Sequence, residues 1–224
     1  MLDFLSKNYF LALYAITWFI SLFTFRKYFD TSLKYFPILL AYTFFTELLG
    51  CMVIYFEDFQ LIYDTKATFH SSSIYNIYHF IYYIYFLIVL QKSLAISKHK
   101  KLIYLFIAIF VLVNILNLFI QDPRTTSMVY AYLAGTVLLL ITLVIYFKHL
   151  VTIRNKFVFK YNLLAWISIG LVVFHGIYFP IKIIKEFFTD LYAAAFRDVH
   201  IAIVICMYIL FCIGFIVGKR RAYR

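Results

Sequence analysis

Apolar residues fall into seven runs along the chain, each about 17 to 22 residues long and separated by short polar segments. The runs cover residues 8–25, 36–56, 74–90, 102–120, 127–147, 161–181 and 199–218. An α-helix rises about 1.5 Å per residue, so a run of this length spans the roughly 30 Å hydrocarbon core of a bilayer. The pattern predicts an all-α integral membrane protein in which residues 1–224 form one domain of seven transmembrane helices.

The composition supports the same class of protein. Hydrophobic residues make up 65% of the chain and charged residues 14%. A soluble domain could not hide so much apolar surface in one aqueous core. We therefore expect the lipid bilayer to cover most of this surface.

Loops rich in basic residues alternate along the chain with loops that are not, which places most basic residues on one side of the membrane. A net charge of +11 in a soluble protein would suggest a nucleic-acid partner. Here most basic residues lie in the first, third and fifth loops and in the C-terminal tail: Arg26, Lys27, Lys34, Lys92, Lys98, Lys100, Lys101, Lys148, Arg154, Lys156, Lys160, Lys219, Arg220, Arg221 and Arg224. In the second, fourth and sixth loops acidic residues offset the basic ones, as in the sixth, where Lys182, Lys185 and Arg197 stand with Glu186, Asp190 and Asp198. By the positive-inside rule the N-terminus is outside and the C-terminus cytoplasmic. We expect a multi-pass protein of a cell membrane, a bacterial inner membrane, and no nucleic-acid partner.

The chain also carries a faint internal repeat. A shift of about 124 residues lays Leu39-Leu40-Ala41-Tyr42 onto Leu163-Leu164-Ala165-Trp166. The shift predicts two three-helix repeats, residues 8–90 and 127–218, joined by the helix at 102–120. An odd number of spans lies between them, so the two repeats would have the same orientation. Chance similarity between aromatic-rich helices is the competing explanation.

In organisation alone the chain resembles the heptahelical membrane proteins, which include microbial rhodopsins, G-protein-coupled receptors and the SWEET and PQ-loop transporters. The resemblance extends over the whole chain and rests on helix number, orientation and the 3+1+3 repeat. It implies a ligand, transport or signalling function. The specific motifs are missing: the last run has no lysine for a retinal Schiff base, so no retinal is expected, and Pro37 and Pro180 are each followed by isoleucine rather than glutamine. His200 also lacks the second histidine, four residues later, of the ceramidase-type hydrolases.

Polar side chains inside the runs are the candidate site. Polar groups in hydrocarbon are costly and tend to face the interior of a bundle or a wet cavity. The candidates are Glu47, Asn76, His79, Asn114, Asn117, His175 and His200. With the predicted orientation, Glu47 lies roughly 13 Å below the outer surface, and most of the others lie nearer to that surface. The sequence therefore predicts a polar cavity that opens outward.

Each candidate also has a purely structural interpretation. Asn and His in transmembrane helices commonly form hydrogen bonds between helices. Glu47 near the middle of a span is either protonated and bonded to a neighbour, or the charged partner of a histidine or a cationic ligand. Tyr75, Tyr78, Tyr82 and Tyr85 form a helical stripe that is either a packing seam or a wall of the cavity.

Three functions remain open. In the first, a sensor or receptor-like protein binds a small or lipidic ligand in the cavity and signals through a separate cytoplasmic or membrane partner. In the second, a small-solute or proton-coupled transporter uses the two repeats, with Glu47 as the proton carrier. In the third, a membrane-embedded hydrolase holds a metal ion through Glu47, His79, His175 and His200. The sequence favours the first, and does not identify a cofactor.

Overall fold

The computed structural model describes residues 10–55, 72–153, 156–188 and 195–220. Within these residues all regular secondary structure is helical. The helices are α1 (Phe10–Phe23), α2 (Phe36–Tyr55), α3 (Ser72–Ser93), α4 (Ser97–Asn117), α5 (Val129–Ile153), α6 (Lys156–Tyr161), α7 (Leu163–Phe187) and α8 (Ala195–Val217), with a short 3-10 helix at Phe25–Lys27. Six of them, α2 to α5, α7 and α8, are long and apolar enough to cross a membrane, and α1 is a shorter apolar helix.

The helices coincide with the predicted runs but several extend beyond them. α4 begins at Ser97, five residues before its run, and α5 continues to Ile153, six residues past the end of its run. The added turns contain lysines such as Lys98 and Lys148. Hydropathy marks the part of a helix that fits the hydrocarbon, whereas lysine is a good helix former and continues the same helix beyond it. The start of the first predicted run at residue 8 lies outside the described residues.

Six helices close into a ring. Among the described residues, α1 packs against α2, α2 against α3, α3 against α5, α5 against α7, α7 against α8, and α8 against α1. α4 stands outside the ring and contacts α3 and α5. Of the apolar stretch of α4, 11% is buried, against 39 to 50% for the other five long helices. α4 is therefore a peripheral helix.

Aromatic packing fills one end of the ring, where α1, α3, α5 and α8 end and α2 and α7 begin. We call this the basic end. The Phe36 ring lies 5.7 Å from that of Phe211 and 5.8 Å from that of Phe215. The Phe86 ring lies 6.0 Å from Phe36. All four side chains are at most 2% exposed, so this half of the ring is a closed core.

Polar groups at the basic end tie α8 to the loop after α1. The Lys27 ammonium donates hydrogen bonds to the carbonyl oxygens of Phe215 (3.1 Å) and Ile216 (2.9 Å). These carbonyls lie at the C-terminus of α8, where a helix lacks internal donors and favours a positive charge. Arg220 forms an ion pair with Asp30 at 2.8 Å. The last turn of α8 is therefore fixed to the α1–α2 connection.

Candidate functional site

The opposite half of the ring encloses a cavity of about 500 Å³. We call this the cavity end; here α2 and α7 end and α3, α5 and α8 begin. Every ring helix contributes to the wall, through residues such as Tyr14, Glu47, Tyr78, Tyr132, His175 and His200. α4 contributes none of the described lining residues. The volume lies within the range of sites for drug-sized molecules.

Glu47 lies in the part of the wall that α2 and α3 form. Its Oε2 accepts a hydrogen bond of 3.2 Å from the Tyr75 hydroxyl. Thr43 and Gly50 lie on the same face of α2, at helical spacings of four and three from Glu47. The Thr43 hydroxyl is 3.1 Å from that of Tyr78. A Cβ atom at Gly50 would collide with the Tyr75 hydroxyl, so glycine allows the Tyr75 ring to reach Glu47.

His175 is placed by α7 at the centre of the ring. It is 1% exposed, and its Nε2 lies 3.2 Å from the Tyr82 hydroxyl on α3. Its Nδ1 has no hydrogen-bond partner among the described residues. A buried polar atom without a partner is costly, and a bound water or ligand atom would satisfy it. Because Nδ1 is itself buried, a water or ligand atom would reach it only after the imidazole ring turns or neighbouring side chains move.

His79 and His200 lie on two other faces of the wall. The His79 ring on α3 meets the Tyr132 ring edge-on, with centroids 5.0 Å apart. The His200 ring on α8 is stacked on Tyr178 of α7, with centroids 4.2 Å apart and planes 23° from parallel. These contacts present flat aromatic and imidazole surfaces to the cavity.

Three cationic side chains lie where the cavity meets the ends of α7 and α8: Lys182, Lys185 and Arg197. Lys182 is 8% exposed and forms a 2.6 Å ion pair with Glu186. Lys185 and Arg197 are exposed. We call these three residues the cationic rim.

The three asparagines of the predicted site lie elsewhere. Asn76 fastens the segment before α5: its amide nitrogen donates to the Pro123 and Thr126 carbonyls, both at 2.9 Å, and its Oδ1 accepts from the Met128 amide at 3.0 Å. The Asn114 amide donates to the Phe110 carbonyl one turn earlier at 2.8 Å. The cavity lining includes neither residue.

Asn117 is 1% exposed near the end of α4, and neither polar atom of its side chain has a hydrogen-bond partner among the described residues. It also lies away from the described lining of the cavity. Together, Asn76, Asn114 and Asn117 belong to the α3–α4–α5 side of the protein. The structure therefore brings four of the seven predicted site residues into one cavity.

The described residues contain no group of three His, Cys, Asp or Glu side chains placed to hold a metal ion. Glu47, His79, His175 and His200 share the cavity but stand on different parts of its wall. Glu47 is bonded to Tyr75, whereas His175 faces Tyr82. The geometry gives no support to the metal-dependent hydrolase.

Sequence reasoning missed the cationic rim and several tyrosines of the wall. Lys182, Lys185 and Arg197 lie between the predicted runs 161–181 and 199–218, so hydropathy alone places them in a loop. The sequence pattern does not single out Tyr14, Tyr132, Tyr178 or Tyr208. The sequence does hold one signal for Lys182. Glu186 follows it at the i, i+4 spacing that is typical of a helical ion pair, which indicates that α7 continues beyond its apolar run.

Comparisons of this chain with protein-family models, with curated proteins and with solved structures find no match.

Proposed function

We propose that this protein is a seven-helix membrane sensor that binds a small or lipidic ligand in the cavity and signals through a separate partner. The observation that carries the proposal is that all six ring helices line one cavity. A ligand there contacts every helix of the ring. It can therefore favour one helix arrangement over another, which is what a ligand-driven population shift requires.

The proposal includes seven spans, with α1 as the first, and the cavity end facing outward. The distribution of charge supports this orientation, because the loops rich in lysine and arginine lie at the end opposite the cavity, as the positive-inside rule expects of a cytoplasmic face. The packed half of the ring then separates the ligand from the cytoplasm. Lys27, bonded to the last turn of α8, lies where a movement of α8 would be felt by a cytoplasmic partner.

In this proposal Glu47 and His175 are the polar contacts of the ligand. Glu47 retains an acceptor oxygen besides the one that Tyr75 occupies, and the buried Nδ1 of His175, which has no partner among the described residues, becomes available if the ring turns. A few polar groups placed in a mostly aromatic cavity are typical of small-molecule sites. Glu47→Gln keeps an oxygen that accepts from Tyr75, so it should fold normally while it weakens binding.

The test is a thermal-stability screen of the purified protein in nanodiscs against a defined collection of small metabolites and lipid fragments. Compounds that stabilise the wild type are tested again on Val204→Trp, which fills the cavity from α8. Val137→Trp is the matched control, because Val137 is 40% exposed on the outside of α5. We expect the stabilisation to vanish in Val204→Trp and Glu47→Gln and to persist in Val137→Trp. Stabilisation that survives in Val204→Trp would place binding outside the cavity and refute the proposal.

A transporter is the second candidate, and the order of helices in the ring favours it. Exchanging α1, α2 and α3 with α5, α7 and α8 leaves every neighbour relation in the ring unchanged, while α4 remains outside. This is the arrangement that two parallel three-helix repeats, joined by a linking helix, would produce. In such a protein the two triplets would move against each other around the cavity.

Uptake into proteoliposomes separates the two candidates. The probe is a radiolabelled compound from the screen, with Val204→Trp as the inactive control. The sensor proposal expects binding without net uptake. Saturable uptake that Val204→Trp abolishes and Val137→Trp retains would establish transport instead.

A further inference from the structure

We infer that the ligand carries a protonated amine, which binds to the Glu47 carboxylate among tyrosine side chains of the cavity wall. This deepens the proposed function and rests on it. Glu47 shares the wall with tyrosines from three other helices of the ring: Tyr14 on α1, Tyr75, Tyr78 and Tyr82 on α3, and Tyr208 on α8. We call Glu47 and these five tyrosines the tyrosine corner.

Hydrogen bonds and ring contacts bring the tyrosine corner together. The Tyr75 hydroxyl donates to Oε2 of Glu47 at 3.2 Å, which leaves the second carboxylate oxygen as an acceptor among the described residues. The Tyr14 ring meets the Tyr208 ring edge-on, with centroids 4.6 Å apart. The carboxylate interacts electrostatically with Tyr14, Tyr78 and Tyr208. Side chains of α1, α3 and α8 therefore lie around one carboxylate of α2.

The chemistry of the tyrosine corner suits an ammonium group. A carboxylate inside a membrane span is costly unless it is neutral or paired with a cation. The face of a tyrosine ring and the lone pairs of its hydroxyl both attract a cation, so the corner favours positive charge whichever way each ring turns. A metal ion is a poorer fit, because the described residues contain no group of three His, Cys, Asp or Glu side chains placed to hold one.

The cationic rim lies apart from the tyrosine corner. In the ring, α7 and α8 lie across from α2 and α3. Lys182 is paired with Glu186 at 2.6 Å. Along α8, Tyr208 lies about three turns beyond Arg197, which is about 16 Å at helical rise. In one medium, attraction at about 3 Å is roughly five times stronger than repulsion over about 16 Å. The carboxylate therefore outweighs a cation of the rim for an amine bound in the corner.

The remaining walls define the body of the ligand. His200 is stacked on Tyr178, and the Phe174 ring lies 5.9 Å from His200. Flat aromatic surfaces bind apolar chains and planar rings. An amphipathic amine of drug size therefore fits both the tyrosine corner and these walls. Its source is either the bilayer, as a long-chain amine, or the aqueous phase, as an arylalkylamine.

Matched pairs of amine and alcohol test the inference. The probes are decylamine against decanol for the lipid source, and phenethylamine against phenethyl alcohol for the aqueous source. Each is titrated onto the protein at neutral pH, where an alkyl amine carries its proton. Micelles of an uncharged maltoside exclude choline headgroups, which would compete for the site. A charge-assisted hydrogen bond contributes enough that the amine should bind roughly tenfold or more tightly than its alcohol.

The test variant is Glu47→Gln, which removes the charge and keeps an oxygen that accepts from Tyr75. Its matched control is Asp198→Asn, which removes the same charge from an exposed residue in the first turn of α8, outside the described lining of the cavity. We expect the preference for amine over alcohol to disappear in Glu47→Gln and to remain in Asp198→Asn. The pair that shows the preference identifies the source of the ligand.

A second measurement uses the wild type alone, so it does not depend on the folding of a variant. A hydrophobic carbodiimide modifies carboxyl groups in apolar surroundings, and mass spectrometry then gives the rate of modification at Glu47. The amine should slow this modification several-fold, whereas its alcohol at the same concentration should not. Equal protection by amine and alcohol would contradict the inference.

Other outcomes would overturn the inference while the proposed function stands. Equal binding of amine and alcohol, or a preference for the amine that survives in Glu47→Gln, removes the role of the carboxylate. Failure of both amines, while an acidic or neutral compound from the screen binds in the cavity, overturns the amine ligand and leaves the sensor intact. If no compound of any charge loses its binding in Val204→Trp, both proposals fall.

Discussion

α7 and α8 approach each other closely next to the cavity, and Gly170 contributes to this approach. A Cβ atom at Gly170 would lie 2.9 Å from Cε1 of Phe211, and 3.2 Å from both Cγ and the carbonyl oxygen of Met207. A flexible side chain can move away from such a contact, but a backbone oxygen inside a helix cannot. Gly170→Ala should therefore separate the two helices or strain the side chains between them.

The change in the free energy of unfolding caused by Gly170→Ala follows from two opposing effects. Replacing a helix-interior glycine with alanine stabilises a helix by about 1 kcal/mol. Forcing an extra methyl group into a well-packed contact costs about 1–3 kcal/mol. Phe211 and Met207 are at most 5% exposed, so the methyl group has no open space to enter. The net effect of Gly170→Ala should lie between no change and a loss of about 2 kcal/mol.

Gly176 provides a control on the same helix. A Cβ atom at Gly176 would meet nothing within 4 Å. Gly176→Ala therefore gains the same helix propensity without the packing cost, and the difference between the two variants isolates the α7–α8 contact. That difference should be about 1–3 kcal/mol. In a protein of this size it corresponds to a gap of roughly 2–12 °C in Tm.

The assay is thermal unfolding of both variants and the wild type in one nonionic detergent at one protein concentration. We expect Gly176→Ala to unfold at or above the wild-type temperature and Gly170→Ala to unfold below Gly176→Ala. A Gly170→Ala variant as stable as Gly176→Ala would show that α7 and α8 are not in close contact there. The cavity wall that carries His175 and His200 would then have a different geometry.

Two further predictions concern the loop anchor and the topology. Asn76→Ala removes three hydrogen bonds to the segment before α5. At roughly 1 kcal/mol for each hydrogen bond, Asn76→Ala should lower the free energy of unfolding by about 2–3 kcal/mol. The control Asn114→Ala should lower it by less than about 1 kcal/mol. Equal denaturation midpoints for the two variants would contradict this. A reporter fused after Arg224 should be cytoplasmic and a tag before Asp3 accessible from outside; protease protection that places both ends on one side would exclude seven spans.

The positions of the helices were predictable because hydropathy reports directly on them. Each predicted run overlaps one of the helices, and six of the seven meet the length and composition needed to cross a membrane. Helix ends were less predictable. The apolar pattern stops where the hydrocarbon would stop, whereas α7 continues through Lys182 and Lys185 to Phe187. The apolar pattern therefore leaves Lys182 and Lys185 outside the predicted span.

The candidate site was partly predictable for a different reason. The cost of burying polar groups led to Glu47, His79, His175 and His200, and all four line the cavity. The same cost does not tell whether a buried polar side chain lines a cavity or is satisfied by a hydrogen bond to the protein itself. Asn76 is satisfied by a loop and Asn114 by its own helix. That difference depends on which helix stands outside the ring, and a single sequence does not contain that information.

The ring order and the chemistry of the cavity differ in symmetry. The neighbour relations are unchanged by exchange of the two triplets, yet the polar residues are not repeated. At the shift of about 124 residues, Glu47 falls on Leu171, and His175 falls on Cys51, both of which are buried and uncharged positions. Among the described lining residues, the carboxylate of Glu47 lies on α2, and the cationic rim lies on α7 and α8. The two halves of the ring therefore present different chemistry to the cavity, although their helices follow the same order.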